Sequence, residues 1–335
     1  MTKLYQTLSE IDKILGRINT HPEYSGCLIR DEYVALRNES ERHSLEMELK
    51  GDLDYPISKA GDIIHERDKH KAKAAKRLSE AQEYLTQNGI SLGTISALGL
   101  KIAPKSNIHS GFRNELIQFG HFYGEDTEKI SYKIKDLIDF LNEPSTHPVV
   151  KASNAHLTFV QIHPFKDGNG RAARLLQNQV LLERGYPPAI IDADEKKHYI
   201  SMIERAIEDR VKNKTTIYRP SDNELIFHDF IAEKVLDSAK HVDNLLASRR
   251  MYDVTLTKVS NFGAVRTLAS ALRSEGRINE HGVSVSIDRK NGGKKESTLR
   301  ITGDLNREKL RTILERFSKR YGFHYTSEIV SNRPC

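Results

Sequence analysis

The chain has 335 residues, no Trp, two Cys (Cys27 and Cys335), four Met and ten Pro, and aromatic residues make up only 7% of it. Two cysteines are too few for a disulfide framework or a cysteine-built zinc site. They read as incidental thiols of a reducing compartment, which predicts a cytoplasmic protein. Without Trp and with few rings, the cores must rely on Leu, Ile and Val. No apolar run approaches the ~20 residues that would span a bilayer. The start, Met1-Thr2-Lys3-Leu4-Tyr5-Gln6, has no apolar stretch of the kind a secretory signal needs. No membrane partner is therefore expected. A GxxxxGK[ST] phosphate loop is also missing, which excludes the Walker type of nucleotide site.

What is present is globular: 38% hydrophobic and 29% charged residues, in a chain long enough for two domains or three small ones. The formal net charge of +6 is unevenly placed. From Met251 to Cys335 there are 16 Lys and Arg against 9 Asp and Glu, which leaves 36 against 37 in the rest. Any argument about polyanionic partners is confined to that last segment.

One stretch carries chemistry: His163-Pro164-Phe165-Lys166-Asp167-Gly168-Asn169-Gly170-Arg171-Ala172-Ala173-Arg174. Ala155 to Ile162 before it is apolar and free of Gly and Pro. Ala172 to Glu183 after it has Leu175, Leu176, Gln179 and Leu182 at helical spacing. The pattern predicts helix, tight loop, helix, with the N-terminus of the second helix aimed into the loop, where negative charge is favoured. Arg171 and Arg174 are expected in the first turn of that helix. Cations there oppose its dipole, so a polyphosphate is the natural reason for them. Asp167 beside phosphates suits Mg²⁺, which takes one or two carboxylates plus phosphate oxygens. His163 is the group in the loop that can take a proton near neutral pH. The plain alternative is a polar turn between two helices with surface arginines.

The stretch resembles the signature of the Fic family, HxFx[DE]GNGRxxR, at every defined position. Members of that family usually transfer AMP from ATP to a Ser, Thr or Tyr hydroxyl of a protein, which can be the enzyme itself. The resemblance implies an all-helical core and a role for each matching residue. His163 is the general base on the target hydroxyl, and Asp167 holds Mg²⁺ or Mn²⁺. Lys166, Gly168, Asn169, Gly170, Arg171 and Arg174 bind ATP, with the GNG segment as the anion hole and Arg174 on the γ-phosphate. Phe165 anchors the loop. Tyr199 borders the adenine pocket, where the plain alternative is a core tyrosine. Transfer of UMP or another phosphate-containing group also occurs within the family.

Upstream, Leu8 to Ile18 predicts a short helix, and residues 31–50 a second one. Ser44 and Glu48 in that second helix share a face and resemble the family's inhibitory pattern [ST]xxxE[GN], with Leu49 in the sixth position. The implied inhibition pairs Glu48 with Arg174 and displaces the γ-phosphate, and a Glu so placed also permits the reverse reaction, removal of AMP. The alternative is a solvated helix of mixed charge. Asp62 to Gln87 predicts one long, largely exposed helix. Ser91 to Gly124 reads as broken chain, with Phe112 to Phe119 either a connecting loop or an extended arm like the flap that docks target segments in Fic proteins. Lys129 to Asn142, the segment from Lys196 and Glu224 to Arg249 read as further helices.

The last 85 residues alternate between strand and helix patterns in the order βαββαβ, which predicts a small α+β, ferredoxin-like domain. Basic residues near its turn (Arg289, Lys290, Lys294, Lys295) suit nucleic acid or an acidic protein, but the aromatic pair of an RNA-reading strand is lacking. A docking or dimerisation module is the other reading, which leaves a homodimer open. The expected division is 1–90 as an N-terminal helical region, 91–250 as a Fic core and 251–335 as the basic domain. Two function classes follow: an autoinhibited protein adenylyltransferase, or a non-catalytic adaptor that binds nucleic acid or protein through its basic C-terminal domain.

Overall fold

The computed structural model describes residues 3–20, 27–49, 60–107, 111–213, 217–248, 250–259, 262–278, 284–289, 297–303 and 307–331. The chain divides into two compact units, Met1–His241 and Val242–Cys335. Residues 1–90, expected as a region of their own, lie in the same unit as residues 91–241. Among the described residues, no helix is long and apolar enough to cross a membrane.

The first unit is helical: α1 (Lys3–Thr20), α2 (Cys27–Leu49), α3 (Ala60–Asn88), α4 (Leu92–Ile102), α5 (Ile130–Asn142), α6 (Pro148–Ile162), α7 (Asn169–Glu183), α8 (Lys196–Asn213) and most of α9 (Asp222–Ser248), which runs across the division. A two-stranded hairpin, β1 (Gln118–Phe119) with β2 (Phe122–Tyr123), precedes α5. In α1, Leu4, Leu8, Ile11, Leu15 and Ile18 recur every three or four residues, and all are buried. The centre of the unit is the packed pair α6 and α7, where most residues are buried. Pro148 starts α6 with no N–H to satisfy, and the His147 side chain accepts from the Val149 N–H.

Two readings of 91–124 change. The stretch after Ser91 is a helix, not broken chain. Ser91 caps it by accepting from Thr94 N–H at 3.1 Å, and Ile95, Leu98 and Ile102 form its buried stripe. Gly99 sits there because Phe165 packs on it. The extended arm over 112–119 reduces to Gln118–Phe119, because Arg113 and its surroundings are committed to the loop described below.

The second unit contains β3 (Arg250–Thr257), α10 (Phe262–Ile278), β4 (Ser284–Arg289), β5 (Ser297–Gly303), α11 (Arg307–Tyr321) and β6 (His324–Ser331). Its strands form one antiparallel sheet in the order β4-β5-β3-β6. Tyr252 pairs with Ile301 and Val254 with Leu299, so these side chains share a face. They form one core with Leu268 and Leu272 of α10 and Leu314 and Phe317 of α11. The expected basic turn, Lys290 to Lys295, lies outside the described residues.

Candidate active site

His163 ends α6. Its φ is 51°, in the left-handed region, and its N–H donates to Phe159 O at 3.0 Å. A non-glycine residue there is strained and persists only where its surroundings enforce it. Arg113 supplies that enforcement. Buried, it donates from Nε to His163 O (2.7 Å), from Nη1 to Glu115 O (2.6 Å), and from Nη2 to Glu125 O (2.5 Å) and Ile162 O (3.3 Å). Its own N–H donates to Pro164 O at 2.9 Å.

The rest of the loop is pinned in the same way. Phe165 is fully buried, its ring 6.2 Å from that of Phe112 and 5.7 Å from that of Phe159. The Asn169 side chain accepts from Phe165 N–H (2.9 Å) and donates to Phe165 O (2.8 Å). Asn107 donates to Gly99 O (2.8 Å) and Asp167 O (3.0 Å) and accepts from Lys166 N–H (3.0 Å). Gly168 precedes α7 at φ 89° and offers no capping side chain. A Cβ there would lie 2.9 Å from Ile102 Cγ2. The first N–H groups of α7 thus face the loop without a side-chain cap, the arrangement that favours an anion.

His163 is set up as a base. Its Nδ1–H donates to Val160 O (3.1 Å), which leaves Nε2 with a free lone pair. Its ring stacks on Phe119 with centroids 4.2 Å apart and planes 7° apart. Burial pushes its pKa down to about 4; the bond to Val160 opposes that shift and the charge of Arg113 adds to it. The ring is neutral at pH 7.

Arg174 lies in the second turn of α7, where the sequence pattern put it in the first. It is buried and held from two sides. On the α2 side, Nε donates to Ser44 Oγ (2.7 Å), and Nη2 donates to Ser44 O (3.3 Å) and Glu48 Oε1 (3.0 Å). On the α8 side, Nη1 donates to Tyr199 Oη (3.2 Å). Lys196, at the start of α8, donates to the carbonyl of Met47 in the last turn of α2, where a cation is favoured by the dipole. A cavity of about 290 Å³ opens between these groups, lined by His163, Gly170, Arg174, Glu48, Lys196 and Tyr199 among others.

The expected residues therefore separate. His163, Gly170, Arg174, Tyr199 and Glu48 meet around the cavity, and Ser44 stands behind Arg174. Asp167, about half exposed, receives a hydrogen bond from Arg171 at 2.9 Å. Lys166 turns to Glu115 at 2.7 Å and does not line the cavity. Asn169 faces back into the loop, because its amide replaces the missing turn bonds of Phe165. Tyr199 is a buried residue that also lines the cavity, with its hydroxyl on Arg174. Sequence patterns did not single out Asn107, or Arg113 as the staple of the loop, since their partners lie about 50 residues away or more.

Residues 92–181, from α4 into α7, match the Fic/DOC family. Over 94 residues the chain is 36% identical to protein adenylyltransferase fic-1 of Caenorhabditis elegans, which is 27% of this chain and 18% of that protein. Over 102 residues it is 36% identical to protein adenylyltransferase Fic of Drosophila willistoni, 30% of this chain and 20% of that protein. The match thus spans a fifth or less of these relatives' own length. A Fic domain containing signaling protein from Bacteroides thetaiotaomicron superposes with a TM-score of 0.53 at 19% identity, over 71% of this chain and 95% of that one. Fic-1 of C. elegans superposes with a TM-score of 0.51 at 19% identity, over 71% of each chain. At such identities the likeness is one of fold. The motif His163 to Arg174 and the helices α6 and α7 around its loop lie within or beside the stretch, residues 92–181, that matches the Fic/DOC family.

Proposed function

We propose that the chain is a protein adenylyltransferase that moves AMP from ATP to a Ser, Thr or Tyr hydroxyl of a target protein, and that α2 holds it shut. The observation that carries the reading is the cavity that joins a neutral His163, its Nε2 free, to a desolvated Arg174. The ATP phosphates would lie on the uncapped start of α7, with Gly168, Asn169 and Gly170 offering backbone N–H groups and Arg171 nearby. Arg174 would take the γ-phosphate. The target hydroxyl attacks the α-phosphorus, its proton passes to His163 Nε2, the bond to the bridging oxygen breaks, and pyrophosphate leaves. Positioning and charge stabilisation supply most of the rate.

Asp167 is the carboxylate of the loop, exposed enough to meet solvent-borne ions. One carboxylate beside phosphates matches the donor set of Mg²⁺ or Mn²⁺, and such an ion, when bound, neutralises phosphate charge. Glu48 and Ser44 occupy the Arg174 guanidinium that the γ-phosphate requires, which supports autoinhibition by direct competition. The strand order β4-β5-β3-β6 with α10 and α11 in one core supports reading the second unit as a ferredoxin-like domain. The name protein adenylyltransferase, borne by the worm and fly relatives, agrees with the chemistry read from the loop.

The test is transfer of label from α-labelled ATP with Mg²⁺ to proteins of a cell lysate or to the chain itself. Transfer by the Glu48→Gly protein that vanishes in Glu48→Gly/His163→Ala supports the proposal. No transfer by either overturns it.

A further inference from the structure

Among the described residues Arg174 has one side-chain hydrogen-bond partner outside α2, the Tyr199 hydroxyl, and that hydroxyl belongs to a buried chain of hydrogen bonds with a single polarity. Gln177 Oε1 can only accept, so His156 carries its hydrogen on Nδ1 and donates to it at 2.9 Å. His156 Nε2 is then bare and accepts from Tyr199 Oη at 2.7 Å. With its hydrogen used there, Tyr199 Oη can only accept from Arg174 Nη1, at 3.2 Å. At the far end the Asn178 side chain beside Gln177 accepts from Ala189 N–H at 3.0 Å and donates to Ala189 O at 3.2 Å, contacts that do not involve α2, and also donates to Ser40 Oγ of α2 at 2.9 Å. His156 and Gln177 are fully buried and Tyr199 nearly so. Burial, with the Arg174 charge adding to it, keeps His156 neutral, its pKa pushed down to about 3. The polarity of the chain therefore does not change over the working pH range.

The consequence appears when α2 leaves. Of the four side-chain bonds that Arg174 makes among the described residues, three go to Ser44 and Glu48 and depart with α2. The Tyr199 bond joins α7 to α8 and does not involve α2. We propose that His156 and Tyr199 are positioning residues for Arg174, which they hold in the orientation that receives a γ-phosphate after α2 has yielded. The proposal rests on the reading of Arg174 as the γ-phosphate ligand. It adds that ATP and ADP are told apart through this chain, because only ATP reaches Arg174.

The experiment uses the full chain carrying Glu48→Gly, with ATP and ADP affinities measured by calorimetry and KM and kcat by label transfer. Adding Tyr199→Phe, which keeps the ring and removes one oxygen, weakens ATP roughly tenfold or more, the loss of one charge-assisted hydrogen bond. ADP affinity stays within about twofold, and the change in transfer is in KM rather than kcat. His156→Leu does the same. His156→Gln, whose amide oxygen can accept from Tyr199, restores ATP affinity at least in part, and this arm holds even where Leu lowers stability. Equal weakening of ATP and ADP, or no change in either, overturns the positioning role. If the Glu48→Gly protein with Tyr199 and His156 intact binds no ATP, the reading of the site falls, and the positioning role with it.

Discussion

Replacing Gly99 by Ala perturbs the active loop from behind, without touching a residue that faces the cavity. A Cβ at Gly99 would lie 2.5 Å from Phe165 Cδ1 and 2.9 Å from Cε1, where carbon atoms normally keep about 3.5–4.0 Å. Phe165 cannot simply retreat, since the rings of Phe112 and Phe159 stand beside it. Overpacking of this kind costs about 1–3 kcal/mol, against a helix-propensity gain of about 1 kcal/mol for Ala over Gly. The net loss is then about 1 kcal/mol, or roughly 2–4 °C in Tm for a unit of this size. Gly93, in the same helix, has nothing within 4 Å of its would-be Cβ. Gly93→Ala should gain about 0.4–1 kcal/mol from backbone entropy. The same chemical change is thus expected to act with opposite sign at two positions of one helix. Phe165 is bonded to Asn169 and precedes Lys166 and Asp167, so a shift of about 1 Å there should cost transfer activity roughly 100-fold, while Gly93→Ala leaves it intact. The assay is thermal unfolding together with label transfer, both in the Glu48→Gly background. If Gly99→Ala is as stable and as active as Gly93→Ala, the claim that Phe165 braces the loop is wrong.

Further outcomes follow from the other contacts. His163 is neutral until its pKa of about 4 is reached, so kcat/KM of the Glu48→Gly protein should be flat from about pH 8 to about pH 5 and fall only below that. An inflection near the ordinary histidine value of about 6.5 would refute the buried-base geometry. Arg113→Ala strips four hydrogen bonds from backbone carbonyls, which should cost about 3 kcal/mol or more in chemical denaturation and abolish transfer. Arg113→Lys should recover little of either, because Lys lacks the guanidinium fork. Ser44→Ala removes one of the bonds that tie Arg174 to α2 and should raise basal transfer roughly tenfold or more by the value of one charged hydrogen bond.

Much of the site was legible in the chain because its chemistry is packed into twelve consecutive residues, His163 to Arg174. Pro148 opens one helix, the glycines around Asn169 admit the turn, and apolar spacing marks both flanks. The link from Ser44 and Glu48 to Arg174 crosses about 130 residues of sequence and was reachable only by resemblance to a known pattern. What stayed hidden was of two physical kinds. Gly93 and Gly99 disguised α4, because glycine normally argues against a helix, and only the packing of Phe165 explains Gly99. The supporting polar groups, Asn107, Arg113, His156 and Gln177, leave no local pattern, since each is defined by a partner folded onto it from elsewhere. His156 is the partial exception: a histidine buried in an apolar helix two turns before His163 asks for a partner, though the sequence does not say which.

On the proposed reading α2 closes the site by holding Arg174. The most direct measurement compares label transfer from α-labelled ATP by the unaltered chain, Glu48→Gly and Glu48→Gly/His163→Ala. Glu48 is 43% exposed in its side chain while Arg174 is 6% exposed, so the lower end of the range for a charged hydrogen bond applies, about 1.5 kcal/mol or tenfold. Glu48→Gly should raise transfer at least about tenfold, and adding His163→Ala should abolish it. An unchanged rate in Glu48→Gly, or transfer that survives without His163, would contradict that reading.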